Sequence, residues 1–316
     1  MSAIKKLPYY YNGLLLVFCV VGLIYFRSIL LPLAYALCFG VFVYPLYRWG
    51  RAWRLPKSVN VASVSLVFLV VSSLLLYLFA FSIQGWLDFF NSHGKELMGV
   101  QESFLAYLDR FNLKEYFIDQ KITEHIMSIL QFFSFSIVNY LSLFALSFVF
   151  YVFLFVAPEK HLEMVLDFKQ TGALLRTYIK IKFFISFFTA MAVSLIFIAF
   201  DIKYWESVSI LVFILNFIPN LGSIVATLLP LPMFYFSYDI GPEFWFLILS
   251  TSIVQFTLGN MIEPKIMGNF LNIPGIIVVF FLLVWGKVWG ALGVFFAVPS
   301  LIFLSQINPK FKRLFA

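Results

Sequence analysis

An all-α protein threaded repeatedly through a lipid bilayer is the fold this sequence predicts, and three observations predict it. First, 62% of the 316 residues are hydrophobic and only 12% are charged, against roughly 45–50% and about 25% in a soluble domain. Second, long stretches such as Leu14–Phe26, Val59–Phe81, Phe132–Ala157 and Phe183–Phe200 carry almost no charge. About 20 apolar residues take a helix across the roughly 30 Å hydrocarbon layer at about 1.5 Å per residue. Third, the alternating pattern of an outer-membrane barrel strand is absent from these runs.

Taken in order, the spans are expected at 12–26, 29–47, 59–81, 133–156, 183–200 and 244–261. The leading MSAIKKLPYYYNG has the charge of a signal peptide, but no small-residue cleavage site follows and Arg27 and Pro32 lead directly into another apolar run, so a retained first helix is expected. Cys19 and Cys38 both fall within apolar spans and suggest buried thiols, with no disulfide framework or zinc spacing. The basic residues set an orientation. With the N-terminus in the cytoplasm, Lys5 and Lys6, Arg48 to Lys57, the group from Lys160 to Lys182, Lys265, and Lys310 to Arg313 all lie inside. Basic residues accumulate in cytoplasmic loops, which puts both termini on the cytoplasmic side of the membrane. The net charge of +7 then suits anionic lipid, with no nucleic-acid partner required.

Two amphipathic stretches separate these spans. Within 84–131, Leu97, Val100, Phe104, Tyr107, Leu108 and Phe111 recur at three- and four-residue steps, one helical face suited to lying along the outer surface or against a neighbouring subunit. Residues 158–182 form the second, on the cytoplasmic side, with Arg176, Lys180 and Lys182 as an expected lipid-facing basic end. The chain is thereby divided into a scaffold and oligomerisation half, 1–157, and a transport half, 158–316.

The transport half holds two apolar segments with arms too short for a comfortable crossing. In 207–236, the arms Val208–Leu215 and Ile224–Phe236 flank NFIPNLGS. Pro219 removes a backbone donor and Gly222 permits a sharp bend. Backbone freed at membrane depth must find protein or a wet cavity, so Asn216, Asn220 and Ser223 are expected at the tip of a re-entrant hairpin. In 273–306, Ile273–Trp285 and Ala291–Leu304 flank WGKVWGALG, entering from the other side. Opposed broken hairpins resemble the inverted-repeat plan of secondary transporters; two kinked spanning pairs would fit the same residues.

Between them lies NMIEPKIMGN, residues 260–269, the polar end of an otherwise apolar span. A charge at the bilayer centre costs about 2.5–3.5 kcal/mol on the insertion scale, so Glu263 must be interfacial, paired or turned to a cavity. Pro264 predicts a helix end near Ile262, and Gly268 a turn toward Pro274. The plain alternative is an interfacial loop with a weak Glu263–Lys265 contact. Gln255, Asn260 and Glu263, with Asn216, Pro219, Asn220, Gly222 and Ser223, make up the expected substrate or ion site.

These residues carry a family resemblance. NFIPNLGSIVATLLPLP followed by QFTLGNMIEPKIMGNFLNIPGIIVVFFLLVWGKVWGALGVFFAVP resembles the AI-2E (autoinducer-2 exporter) family. The motifs fall on Asn216, Ile218, Pro219 and Gly222; on Asn260, Ile262, Pro264, Ile266 and Gly268; and on Trp285, Gly286, Gly290, Gly293, Ala297, Val298 and Pro299. Pro264, Gly268, Pro274, Gly286, Gly290, Gly293 and Pro299 are read as hinge and packing positions. The resemblance implies export of a small signalling molecule or sodium or proton antiport, by a homo-oligomer, a pentamer, whose hairpin domain moves in an elevator-like way. An oligomeric channel or passive pore is the alternative. No GxxxxGK[ST] motif occurs, so an ion or solute gradient must supply the energy. His93, His125 and His161 lie in polar segments and Asp201 and Asp239 at span ends. No intramembrane enzyme, metal site or cofactor is expected.

Overall fold

The computed structural model describes residue 18 and residues 21–109, 137–161, 169–219, 221–267 and 274–307. Among them every regular element is helical. The long helices are α1 (Arg27–Ala52), α2 (Lys57–Asp109), α3 (Ile137–Val156), α4 (Lys169–Ala199) and α8 (Pro242–Gln255). Short helices α5 (Trp205–Leu215), α6 (Leu221–Leu228) and α7 (Leu231–Tyr238) lie between α4 and α8. A π-helix, Phe256–Ile262, follows α8 and leads into α9 (Glu263–Met267); then come α10 (Gly275–Trp289), α11 (Ala291–Val294) and α12 (Ala297–Ile307). Arg27–Ala52, Lys57–Gly94, Thr171–Ala199 and Pro242–Ile262 are long and apolar enough to cross a membrane. Most of the expected first span, 12–26, lies outside the described residues, as do Asn220, Gly268 and residues 110–136.

Hydrophobic side chains both fill the core of the bundle and cover its outer surface, and a few polar ones are buried with them. On α4, Phe183, Phe184, Phe187 and Phe188 point outward, whereas Lys182, Ile185, Ser186 and Thr189 are buried. One core joins α1, α2 and α3 to the start of α4 and to α12. There Phe68 packs its ring on Phe39 and Tyr151 at 4.7 and 4.6 Å, contacts worth about 0.5–1.5 kcal/mol each beyond their buried area. The Tyr151 hydroxyl donates to the Val64 carbonyl at 3.0 Å. A second core sets Ile83, Trp86, Phe89 and Phe90 of α2 against α4, α5, α7 and α8. Gly85 permits this approach: a Cβ there would run into the Ser207 side chain, and the Ser82 hydroxyl donates to the Ser207 carbonyl.

Three expectations change here. Residues 84–109 are no separate surface-lying helix but the unbroken continuation of α2, a 53-residue helix about 80 Å long. The stretch holds Gly85, Gly94 and Gly99 but no proline, and an isolated glycine costs only about 1 kcal/mol without breaking a helix. Similarly, α4 begins at Lys169, so the basic segment up to Lys182 is fused to the fifth span. Finally, the helix does not end near Ile262: it continues through the π-helix to Met267. The π-helix, a wider turn than the α-helix, comes immediately before this last segment.

Candidate functional site

α5 is 11 residues long, about 16 Å, and ends where the chain folds back on itself. The Ile218 amide donates to the Leu215 carbonyl at 2.8 Å, and the Gly222 amide to the Ile218 carbonyl at 3.1 Å. Gly222 is required at this turn, because a Cβ would collide with the Leu215 carbonyl oxygen, a backbone atom that cannot swing away. α6 then packs back along α5, and this helical hairpin is held between α4 and the α8–π-helix segment.

At its tip the structure joins two charges. Lys182 of α4 is 2% exposed and Glu263 14% exposed, and Lys182 Nζ lies 2.6 Å from Glu263 Oε1. The same ammonium donates to the Asn216 carbonyl at 3.0 Å. One cation thus ties together α4, the last residue before the hairpin turn, and the carboxylate just beyond the π-helix. A small crevice of about 10 Å³, room for a single water, opens beside the pair and is lined by Lys182, Ile185, Asn216, Ile218, Ser223, Gly259 and Glu263. The π-helix helps to shape it: Gly259 faces Ser223 closely, a Cβ there standing 3.6 Å from the Ser223 Cβ.

The expected site is therefore partly assembled here. Asn216, Ser223 and Glu263 line the crevice, and Gly222 makes its turn. Asn216 contributes its carbonyl; Pro219 is half-buried within the turn. Gln255 is 3% exposed and two turns away along the helix, and Asn260 is exposed. Lys265 is also exposed, so the partner of Glu263 is Lys182 and not Lys265. Lys182 itself corrects a prediction, since it points inward instead of toward lipid. The signal was present: Lys182, Ser186 and Thr189 recur at four- and three-residue steps opposite a phenylalanine face, a buried polar stripe.

The second glycine-rich turn does not enter this crevice. Gly290, with a φ of 72°, turns α10 into α11, and the tryptophans around it are pinned. The Trp285 indole donates to Ser300 Oγ at 2.7 Å and the Trp289 indole to the Leu23 carbonyl at 3.0 Å. A Cβ on Gly293 would collide with the Trp285 carbonyl, Gly286 sits beside Val294, and Pro299 occupies the first turn of α12, where its missing donor is harmless. Pro274 caps α10. Trp289, Val288 and Phe296 pack with Leu31 of α1. This turn is docked on α1 and on the residues just before it.

Residues 14–311 match the family described as AI-2E family transporter. The AI-2 transport protein TqsA of Escherichia coli is 23% identical over 304 residues, covering 91% of this chain and 88% of the relative. A putative transport protein of Borreliella burgdorferi is 26% identical, covering 89% and 81%. The putative transport protein YhhT of Escherichia coli is 23% identical, covering 86% and 82%.

Proposed function

Because the chain belongs to the AI-2E family of membrane transporters, we propose that it is a secondary exporter in which the Lys182–Glu263 pair is the charge couple of the transport cycle. One observation carries this reading: a buried cation links the hairpin tip to a carboxylate beside the crevice. Making or breaking that link releases or holds the tip. The hairpin dips into the bilayer without crossing it, and its movement against a scaffold formed by residues 1–157 gives access alternately to each side. Residues 158–316 form the moving half. A coupling cation, a proton or sodium, competes with Lys182 for Glu263, and a small polar solute of the autoinducer-2 type is carried outward. The protein sits in the cytoplasmic membrane with both termini inside, as a homo-oligomer, most simply a pentamer as in the family resemblance.

The test uses proteoliposomes and three variants: Glu263→Gln, Lys182→Met and the double variant. The double variant removes both charges without leaving either stranded, so it should assemble and still lack flux driven by an imposed proton or sodium gradient. Gradient-driven flux at the wild-type rate from the double variant would show the pair to be structural only. Flux that never saturates with solute and ignores every gradient would instead identify a passive pore.

A further inference from the structure

Beyond the crevice, the interior of the same helical group holds hydrogen-bonding groups with nothing to bond. Ser186 is fully buried, Ser209 6% exposed and Gln255 3% exposed. Among the described residues, neither serine hydroxyl nor either end of the Gln255 amide has a partner. Buried polar atoms are nearly always satisfied, and an unsatisfied one marks a strained state or an absent ligand. Lipid cannot answer them.

Contacts between the helices bring these groups to neighbouring levels, along a line called here the seam. Lys182 meets Asn216 and the Phe183 ring meets Phe213 at 5.7 Å, so α4 and α5 run antiparallel. One turn beyond Lys182 then brings Ser186 level with Val212, and two turns bring Thr189 level with Ser209. On the other side, Lys182 meets Glu263 and Phe200 stacks on Phe246 at 5.3 Å. α4 and α8 are therefore also antiparallel, and Gln255 comes level with Thr189 and Ala190. The seam starts at the ion pair and continues into the bundle between the hairpin and the long helices that flank it. It is closed, and its chemistry is uncharged.

Resting on the transport reading above, we infer that the solute path opens along this seam, with Ser186, Ser209 and Gln255 as its lining for a neutral, hydroxyl-bearing solute and its water. The chemistry selects that class. A bare cation would satisfy the hydroxyl and amide oxygens but leave the Gln255 N–H groups stranded. A hydroxyl both donates and accepts, so it answers the amide at both ends and each serine as well. When the tip is released from Lys182, the hairpin lifts and the orphaned groups become wet. In the closed state they wait unpaired.

Cysteine scanning tests this directly. With Cys19 and Cys38 replaced by alanine, Ser186→Cys, Ser209→Cys and Gln255→Cys are reconstituted and treated with a membrane-impermeant methanethiosulfonate. The control is Ser147→Cys, a site equally buried at 2%, whose serine is satisfied by the Leu143 carbonyl at 2.7 Å. The seam thiols should react at least about tenfold faster than the control, since only a wetted thiol forms the reactive thiolate. Imposing the gradient that drives flux should change that rate. Reactivity as low as the control with and without the gradient would overturn the inference. Labelling does not require coupling: a reactive seam with gradient-independent flux retains the path and rejects the coupled exporter, while an unreactive seam with coupled flux rejects only the path. Gln255→Leu supplies a second measurement that does not depend on labelling. It removes two orphaned atoms at similar volume, so thermal stability should hold or rise while flux falls about tenfold. A stable variant with wild-type flux would count equally against the seam.

Discussion

Removing either charge of the Lys182–Glu263 pair should destabilise the protein, and removing both should cost far less than the two single losses combined. The magnitude depends on burial. Exposed pairs contribute about 0–1 kcal/mol, but breaking a buried pair by deleting one partner costs about 3–5 kcal/mol because the other charge is stranded. Here the ammonium is 2% exposed and the carboxylate 14% exposed. Glu263→Gln keeps an acceptor but leaves the buried Lys182 charge without a counter-ion, and should cost about 3 kcal/mol. Lys182→Met leaves a carboxylate that the crevice can partly hydrate, for about 2 kcal/mol. With both charges gone the interior is neutral, and the double variant should show a coupling of about 2 kcal/mol or more in the favourable direction. Reversible unfolding in mixed micelles, titrated with a denaturing detergent, measures all four corners of the cycle. Additivity within about 0.5 kcal/mol would mean that the two side chains do not interact, and the charge-couple reading would lose its basis.

Four further substitutions probe the frame around the site. Gly222→Ala should destabilise by about 2 kcal/mol or more through a collision with the Leu215 carbonyl, whereas Gly94→Ala, which meets nothing within 4 Å, should be stabilising by about 0.5–1 kcal/mol; the same unfolding assay compares them. Asn60→Ala should cost about 1–3 kcal/mol, because its amide donates to the Tyr47 carbonyl at 2.7 Å in a buried setting, and it should lower the temperature at which the purified protein aggregates. Ser300→Ala removes the acceptor of the Trp285 indole and should cost about 1 kcal/mol, visible as a shift in tryptophan fluorescence as well as in stability.

Much of the architecture is written in local patterns that need no partner. Apolar runs the length of a bilayer predict helices that must cross it, because lipid leaves the backbone no other way to satisfy itself. NFIPNLGS predicts a reversal at Gly222, and the structure explains the glycine by the nearness of the Leu215 carbonyl. Local patterns also misled at two places. Pro264 predicts a helix end, yet helical backbone continues to Met267; the amphipathic stretch after Gly85 reads as a surface segment, and it extends α2. In each case the propensity was real, and neighbouring helices altered its outcome.

The site divides along the same line. From the sequence by itself come the membrane setting, the scarcity of charge that makes Glu263 notable, and the short polar turn at Asn216–Ser223. Which cation answers Glu263 is a matter of tertiary structure alone: Lys182 lies 81 positions earlier in the chain and, read linearly, belongs to a basic segment suited to the lipid surface. Only when α4 packs against α8 does that ammonium leave water, and in a low-dielectric interior an unpaired charge costs so much that the fold must supply the carboxylate beside it.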